Sequence, residues 1–393
     1  MSGTMIAERS PSAPKILHLI TTLRTGGTPM ALYRLLSRLD SRSFDTSVVT
    51  LTGAEGFGLR KPIEALGVPV YSLGMQPGYP TPAAAWRLIR ITYQNRPDLI
   101  QGWLYHANLA AILADSSLLR QVPVVWGIRQ SLDMKAEKKS SAAVIRVGAH
   151  LSGRPERILY NSRVSANQHE AIGYRADRRR VIPNGFDCKW FRPDAEARAS
   201  VRDELGVGEK TPLIGLIGRY HPMKDHANFL TAASLLLKQV SAAHFLLAGV
   251  DIDTSNKELS TKISALGLQG RVHLLGERQD IPRLTAALDI ASSSSFVEAF
   301  SNVIGEAMAC GVPCVVTDVG DSAWIVGDTG RVVPPRDPLA LCGAWRELLQ
   351  MGQGPRAALG ERARARIVRD FSLDQSVRLY EELYTEAINR LRR

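Results

Sequence analysis

Cysteine is scarce in this sequence, which has only four in 393 residues: Cys188, Cys310, Cys314 and Cys342. They form no paired C-x-x-C set and are too few for a disulfide framework, so we expect a reducing environment such as the cytoplasm. Cys310 and Cys314 bracket a turn, and that spacing favours filling of a hydrophobic core over metal binding. The cysteine content therefore excludes a small secreted fold held by disulfides.

Long hydrophobic runs are also missing. No apolar stretch approaches the ~18 residues that a membrane-spanning helix needs. The first residues, MSGTMIAERSPSAPK, lack the hydrophobic centre of a secretory signal peptide. We therefore expect a chain that neither crosses nor leaves the membrane by itself. Short internal repeats and low-complexity segments are absent as well.

The composition is that of a soluble globular enzyme, with 45% hydrophobic and 22% charged residues, and the length suits two domains. The formal net charge of +11 and the pI near 9.7 predict an anionic partner. Nucleic acid, a nucleotide and lipid headgroups all meet that description, and composition alone leaves the three open.

Strand and helix patterns alternate along the chain, which predicts parallel α/β sheets covered on both faces. Strands are predicted at residues 15–20, 46–51, 68–73, 98–101, 122–126, 157–160, 180–182, 213–218, 244–248, 272–274, 289–291 and 314–316. The turn sequence NGFD at 184–187, followed by a stretch without a clean period, places the domain junction at 187–195.

The stretch 292–319 has the layout of a ligand site. Glu298 and Glu306 flank a small polar turn, Ser301-Asn302, at which a helix begins. The first amides of a helix lack backbone partners and attract anions. Gly311 ends this helix, and a buried strand follows. Strand, turn, helix and strand with acids at the turn predict a phosphate or sugar site at the carboxyl edge of a sheet.

Two basic residues follow the predicted strand 213–218. Arg219 would offer a planar fork and Lys224 a point charge to a diphosphate without any metal. Either could be an ordinary surface charge, but both flank Pro222 in a short exit loop, which favours the ligand interpretation. Near the N-terminus, Gly26 and Gly27 precede a helix and would let backbone approach a ligand closely, although a tight turn without a ligand fits as well.

Two further segments have competing interpretations. Residues 134–157 mix Lys and Arg with the apolar residues Ala142, Val144, Ile145, Val147 and Leu151, so the helix either lies on an acidic membrane surface or is an ordinary solvated helix. The Asp251-x-Asp253 pattern is a metal-nucleotide signature in another class of transferase. A three-residue match is common, and we interpret it as a solvated loop.

Three motifs together resemble the retaining glycosyltransferase family 4 of GT-B fold. They are GR(x4)KD at 218–225, E(x7)E at Glu298 and Glu306 within EAFSNVIGEAMACGVPCVVTDVG, and IPNGFD at 182–187. The likeness covers nearly the whole chain. It implies two Rossmann-like domains facing each other across a cleft, with an acceptor-side domain at 1–190 and a nucleotide-sugar donor domain at 191–372. A final helix at 373–393 would pack back on the first domain.

The resemblance implies a role for each acid. Glu298 would contact hydroxyl groups of the donor sugar, and Glu306 would reach the ribose hydroxyls. The intervening amides would hold sugar and phosphate at the helix start; among them are those of Phe300, Ser301, Asn302 and Val303.

The resemblance also implies roles for basic residues and glycines. Arg219 and Lys224 would stabilise the departing nucleoside diphosphate in place of a metal ion. His106 falls where related enzymes have a histidine near the reaction centre, in a loop after the fourth strand. Gly26 and Gly27 would lie against the diphosphate. Family members commonly continue with a charged stretch, whereas TPM follows here, so acceptor contacts do not carry over.

The resemblance implies a metal-independent transferase without a cofactor, whose donor is a UDP-sugar first and GDP-mannose second. The acceptor would be a saccharide or lipid-linked molecule of cell-envelope polysaccharide synthesis, and no nucleic acid is expected. A cytoplasmic location is expected, and peripheral attachment to the inner face of the cytoplasmic membrane stays open. The alternatives are a nucleotide- or nucleic-acid-binding protein on a degenerate transferase scaffold and, within enzymes, a phosphorylase or a sugar-nucleotide epimerase.

Overall fold

The computed structural model describes residues 13–24, 26–53, 58–76, 80–134 and 137–392. The chain divides into two compact units. The first unit contains the described residues up to Tyr160, then Ala166–Ile182, and the residues from Val377 onward. The second unit contains Asn161–Ser165 and Pro183–Ser376.

The first unit is built on a sheet that has seven strands within the described residues, all parallel, in the order β3-β2-β1-β4-β5-β6-β7. The strands are β1 Lys15–Ile20, β2 Asp45–Thr52, β3 Val70–Met75, β4 Leu99–Trp103, β5 Val124–Ile128, β6 Arg157–Tyr160 and β7 Arg179–Val181. The helices that begin before β7 are α1 Gly27–Leu36, α2 Arg60–Glu64, α3 Pro82–Asn95, α4 Tyr105–Ser116, α5 Lys139–Leu151 and α6 Arg163–Glu170. Every residue of β4 and β5 is buried, as expected for strands covered on both faces.

The second unit has, in its described part, a six-stranded parallel sheet in the order β10-β9-β8-β11-β12-β13. The strands are β8 Leu213–Ile217, β9 His244–Ala248, β10 Val272–Leu274, β11 Ile290–Ser293, β12 Cys314–Thr317 and β13 Arg331–Val333. The helices are α7 Ala195–Glu204, α8 His226–Leu237, α9 Lys257–Ala265, α10 Ile281–Ala286, α11 Asn302–Ala309, α12 Ser322–Val326, α13 Pro338–Gln350, α14 Gln353–Asp370 and, running on into the first unit, α15 Leu373–Arg392.

Both sheets have the same internal order, and in each the strand order reverses beside its first strand. The reversal lies between β1 and β4 in the first unit and between β8 and β11 in the second. Ligands of open parallel sheets bind at the carboxyl ends of strands at such a reversal. The prediction of two Rossmann-like α/β domains is therefore confirmed, and the topology directs attention to the loops after these four strands.

The structure differs from the sequence prediction at α7, which the sequence left without a defined element. Its sequence AEARASVRDE is polar, so periodicity gives little signal. Asp194 caps the helix by accepting from the amide of Ala197 at 2.8 Å. Arg202 is buried, and its guanidinium donates to the carbonyl of Ala287 at 3.0 Å. Contacts distant in sequence thus stabilise α7. The short elements α12 and β13 were also not predicted.

The cysteines of the α11–β12 turn are part of the core, as predicted. Cys310 and Cys314 are buried in the hydrophobic cluster of the second unit. Burial raises the pKa of Cys310 to about 12, so this thiol stays protonated at neutral pH. No helix among the described residues is long and apolar enough to span a membrane.

Candidate active site

Two loops of the second unit meet at the carboxyl edge of its sheet. The loop 218–225 follows β8, and the loop 294–301 follows β11; the two strands pair directly in parallel. The amide of Phe296 donates to the carbonyl of Met223 at 2.9 Å. The Ser294 hydroxyl donates to the carbonyl of Lys224 at 2.8 Å. These hydrogen bonds join the loops, so the residues that they carry have fixed relative positions.

An ion pair links the basic loop to the acidic loop. The Lys224 ammonium donates to Glu298 Oε1, and the Ser295 hydroxyl donates to the same oxygen at 2.9 Å. The two charged side chains are 25% and 16% exposed, so solvent and ligands can still reach them. Because Lys224 neutralises it, Glu298 can lie beside an anionic ligand and still accept hydrogen bonds from hydroxyl groups.

The loop that carries Glu298 is held from behind by Gly320. Gly320 has a φ of +55°, and a Cβ placed there would lie 2.6 Å from the carbonyl oxygen of Ala299 and still closer to that of Glu298. The amide of Asp321 donates to the Ala299 carbonyl at 3.0 Å. Only glycine fits this conformation and this approach, so Gly320 determines the position of the acidic loop.

The start of α11 is open for an anion. Ser301 is the N-cap residue, but its side chain makes no capping hydrogen bond, and its buried hydroxyl has no partner among the described residues. Asn302, the first helical residue, accepts at Oδ1 from Asn184 Nδ2 at 2.7 Å. Asn184 in turn accepts from Asn161 Nδ2 at 3.2 Å. A chain of three amide side chains therefore orients a helix start whose first N–H groups no capping side chain occupies.

The Phe300 side chain does not belong to the open site. Its ring is buried and stacks on Phe186, with ring centroids 6.2 Å apart. Only the Phe300 backbone is therefore placed for ligand binding. The same Phe186 ring presses against α11 at Gly305, where a Cβ would clash with the ring. The IPNGFD motif thus supports α11 through both Asn184 and Phe186, and neither residue was among the predicted site residues.

Glu306 lies one turn into α11 and is half-buried. Together with Val303 it lines a small cavity of about 20 Å³ that also borders Ser292 and Ser293 at the end of β11. A cavity of this size holds about one water molecule. The structure thus places Glu306 beyond the start of α11, beside the end of β11.

Arg219 is exposed in the loop after β8, and its guanidinium has no ion-pair partner within the described residues. Gly249, which follows β9, supports this loop: its φ is +150°, and a Cβ there would lie 2.8 Å from the Arg219 amide nitrogen. Arg219 is therefore an available positive charge on a supported backbone, five residues from Lys224.

In the first unit, Gly26 and Gly27 lie at the start of α1. Gly26 is the N-cap, with an extended φ of 173°, and both glycines are exposed. A Cβ on Gly27 would meet nothing within 4 Å. Neither backbone conformation nor packing requires glycine there, so the absence of side chains leaves open space in front of the helix. Thr25, before the pair, lies outside the described residues.

His106 lies in the first turn of α4, not in a loop as predicted. The strand β4 continues to Trp103, and Leu104 then starts the helix with a φ of +70°, a rare conformation for a non-glycine residue. The His106 side chain is exposed, yet partial burial lowers the pKa of His106, so the neutral ring dominates at pH 7. Trp103 pairs with Ile20 of β1, so α1 and α4 follow neighbouring strand ends.

The competing Asp251-x-Asp253 pattern forms a turn. Asp251 has a φ of +59°, Ile252 is buried, and Asp253 accepts from the amide of Ser255 at 2.8 Å. These hydrogen bonds to Ser255 lower the pKa of Asp253. The pattern is thus a locally bonded turn, consistent with the solvated loop expected from the sequence.

Comparison with known proteins gives two adjacent family matches. The Glycosyl transferase 4-like domain matches residues 26–185, and Glycosyl transferases group 1 matches residues 211–351. The first range contains His106, and the second contains Arg219, Lys224, Glu298 and Glu306.

Two curated relatives are similar over part of their length. The chain is 33% identical to D-inositol 3-phosphate glycosyltransferase of Xylanimonas cellulosilytica, over 54% of this chain and 52% of that protein. It is 29% identical to the lipopolysaccharide core biosynthesis mannosyltransferase LpsB of Rhizobium meliloti, over 52% and 60%. The matched part therefore spans little more than half the length of these relatives.

Among solved structures, HepE of Anabaena in complex with UDP is similar along its whole length. It is 25% identical, with a TM-score of 0.82, and the match covers 95% of this chain and 100% of HepE. The paired parallel sheets, the two family matches and this likeness agree with one another, and the chain therefore belongs to family 4 of the glycosyltransferases, with the GT-B fold.

Proposed function

We propose that this protein is a retaining glycosyltransferase that moves a sugar from a nucleoside-diphosphate donor to an acceptor. The observation that carries the proposal is the Lys224–Glu298 pair beside the uncapped start of α11, at the strand reversal of the second sheet. Such a site brings together cationic and amide groups, which suit a diphosphate, and a carboxylate, which suits the hydroxyl groups of a sugar. The likeness to HepE in complex with UDP supports it.

Each group has one task in the proposed reaction. Glu298 accepts hydrogen bonds from sugar hydroxyls, and the amides at Ser301 to Val303 bind phosphate oxygens. Arg219 and Lys224 stabilise the negative charge that builds on the diphosphate as its bond to the anomeric carbon breaks. The acceptor oxygen bonds to that carbon on the same face, and its proton passes to the departing phosphate oxygen. Glu306 binds the ribose hydroxyls.

We propose a UDP-sugar as the donor, with GDP-mannose second. A ligand that binds only the folded protein raises its stability, by about 2.7 kcal/mol at a hundredfold excess over Kd. In thermal unfolding with a panel of sugar nucleotides, UDP and UDP-sugars are expected to give the largest rise in Tm. An equal response to every nucleotide, or none, would contradict a specific donor site.

We propose that Arg219 and Lys224 supply the positive charge for which other transferases use a metal ion. Release of UDP from the sugar nucleotide that binds best should then continue in excess EDTA. It should fall sharply in the Arg219→Ala/Lys224→Ala double variant. Loss of turnover in EDTA that Mg²⁺ or Mn²⁺ restores would contradict the proposal that the reaction needs no metal ion.

We propose a saccharide or lipid-linked acceptor of cell-envelope synthesis. The name of one relative refers to lipopolysaccharide core biosynthesis and that of another to D-inositol 3-phosphate. We place the enzyme in the cytoplasm, at the inner face of the membrane. Transfer of labelled sugar to a membrane extract but not to soluble sugars tests the lipid-linked alternative.

A further inference from the structure

The helix α3 presents an uncovered aromatic stripe. Trp86, Ile89 and Tyr93 are 59%, 37% and 58% exposed. Their spacing of three and four residues places them on one side of the helix. The opposite side, with Ala84 and Leu88 among its buried residues, packs on the first unit. Large rings that are more than half exposed on a well-packed helix favour a partner that covers them.

This helix is firmly held. Thr81 caps it by accepting from the amide of Ala84 at 3.2 Å, and Pro82 occupies the first helical position. Arg87 donates to the carbonyl of Leu73 at 2.7 Å, which ties α3 to β3. The aromatic stripe is therefore presented on a fixed helix.

The charged residues of α3 itself and of its C-cap have one sign. The sequence of α3, PAAAWRLIRITYQN, contains two arginines and no acid, and Arg96 follows at the C-cap. Arg87, Arg90 and Arg96 are all exposed. The Arg90 guanidinium lies 5.4 Å from the centre of the Trp86 ring. Exposed aromatics on a helix that carries arginines and no acid are complementary to an anionic lipid surface.

The helix α5 is the alternative that its sequence suggested, but its apolar residues are used internally. Ala142 and Ile145 are buried, and Val144 and Leu151 pack against the core of the first unit. Of the apolar set in this segment, Val147 alone is exposed, at 48%. The basic residues of α5 can add charge, but the helix has little apolar surface to insert.

We propose that α3 docks on an anionic membrane surface, with Trp86 and Tyr93 at the headgroup level and Arg90 and Arg96 facing acidic lipids. The membrane is the partner of the proposed enzyme, and the benefit of docking rests on the proposed function, in which the acceptor is lipid-linked. The docking itself requires no transfer reaction. Interfacial aromatics supply apolar burial, and each arginine near the surface adds electrostatic attraction.

Co-sedimentation of the full chain with vesicles tests the proposal. We expect binding to vesicles that contain phosphatidylglycerol and weak binding to phosphatidylcholine alone. Trp86→Ala/Tyr93→Ala should weaken binding roughly tenfold through lost apolar burial. Arg90→Gln should weaken it about fivefold, and less at high salt. Because these side chains are exposed, the Tm of each variant should match that of the unaltered chain.

The chain offers matched controls. Trp190, 63% exposed in the second unit, is an equally exposed ring, so Trp190→Ala should leave vesicle binding unchanged. Lys139→Gln/Arg146→Gln, on α5, should weaken vesicle binding less than Trp86→Ala/Tyr93→Ala does. UDP affinity in solution should be equal in all variants, which separates failure of docking from failure of the donor site.

Three outcomes would overturn the proposal. The first is that the unaltered chain binds neither vesicle type. The second is that the α5 variant loses binding while Trp86→Ala/Tyr93→Ala keeps it. The third is a dimer in sedimentation velocity that Trp86→Ala/Tyr93→Ala dissociates, without any vesicle binding, because the stripe would then join two copies of the chain.

Discussion

The two sheets have the same strand order, but the residues at their carboxyl edges differ. At the second edge, Lys224 and Ser295 both donate to Glu298, and backbone hydrogen bonds join the two loops that carry them. At the first edge, Gly26 and Gly27 are exposed and leave open space. Each sheet thus supplies a carboxyl edge, and of these described segments the one at the second edge carries the bonded charged pair. Topology locates a site, and the side chains decide its chemistry.

The ion pair at the second edge gives the largest expected effect. Glu298→Ala should lower kcat/KM for transfer roughly 100-fold, because it removes a carboxylate aimed at the sugar. UDP affinity should change far less, since the nucleotide does not need this acid. Lys224→Ala should weaken both transfer and UDP binding. Because Lys224 and Glu298 touch, the double variant should lose less than the product of the single losses.

A surface acid provides the control for that comparison. Glu361→Ala, at an exposed position of α14, should leave turnover unchanged. If Glu298→Ala behaves like Glu361→Ala, the second edge is not the donor site.

Glycines test the difference between the edges through stability. Gly320→Ala forces a residue with a φ of +55° against the Glu298 and Ala299 carbonyls, and should cost ~1–3 kcal/mol. For a protein of this size that lowers Tm by several degrees in calorimetry. Gly27→Ala enters open space at the first edge and should leave Tm unchanged. Equal shifts for the two variants would contradict the contrast between a packed and an open edge.

Buried histidines test whether both units weaken together in acid. Burial lowers the pKa of His18 to about 3 in the first unit, and burial and Lys224 lower that of His226 to about 4 in the second. The unfolded chain binds these protons near pH 6.5, whereas the folded chain does not. Stability is therefore fully present above pH 6.5 and is lost as pH falls toward the folded values, by about 2 kcal/mol per histidine at pH 5.

His226→Phe separates the two units. Neither ring nitrogen of His226 has a hydrogen-bond partner among the described residues, so phenylalanine removes no bond. The fall in Tm between pH 7 and pH 5 should shrink for this variant. His18 is buried and unaltered in this variant, so the first unit should keep its acid sensitivity. An unchanged fall in Tm would show that the charge on His226 is irrelevant to stability.

The smallest expected effect is at the amide chain behind α11. Asn184→Ala removes the donor to Asn302 and the acceptor from Asn161, which loosens the helix start. We expect UDP binding to weaken about tenfold, as for ~1–2 kcal/mol from lost hydrogen bonds. Isothermal titration measures it. Asn389→Ala, at an exposed position of α15, is the control and should bind UDP normally. A normal affinity for Asn184→Ala would limit this residue to a structural role.

The sequence could propose most of the candidate site residues because they lie in segments that are local in sequence. Glu298, Ser301 and Glu306 lie on one strand-turn-helix segment, and Arg219 and Lys224 lie in one loop. Residue types and spacing therefore identify them. Their roles toward the ligand remain predictions that the experiments above address.

The supporting residues were not predictable, because their effect depends on distant neighbours. Asn184 and Phe186 stood in a recognised motif, yet their contact with α11 spans more than 110 positions, such as 118 between Asn184 and Asn302. Gly320 is one of many glycines, and only its conformation and the Glu298 carbonyl behind it show why glycine is needed. No local pattern contains this information.

The surface helices show the same division. The sequence left two interpretations of the segment around α5, a membrane-surface helix or an ordinary solvated helix, since basic and apolar residues are mixed there. In the folded chain its apolar residues other than Val147 are covered, while α3 keeps Trp86 and Tyr93 uncovered. Amphipathicity predicts that a helix has two faces, but the neighbouring elements decide which face is left exposed.

The sequence by itself determined the alternation of strands and helices, the two parallel sheets and the segments that bear acids and bases, because periodicity and turn chemistry act over a few residues. Tertiary structure alone decided that Lys224 pairs with Glu298, that Asn184 orients α11, that α7 forms at all and that α3 is uncovered. These features depend on residues that are brought together only when distant strands pair and helices pack.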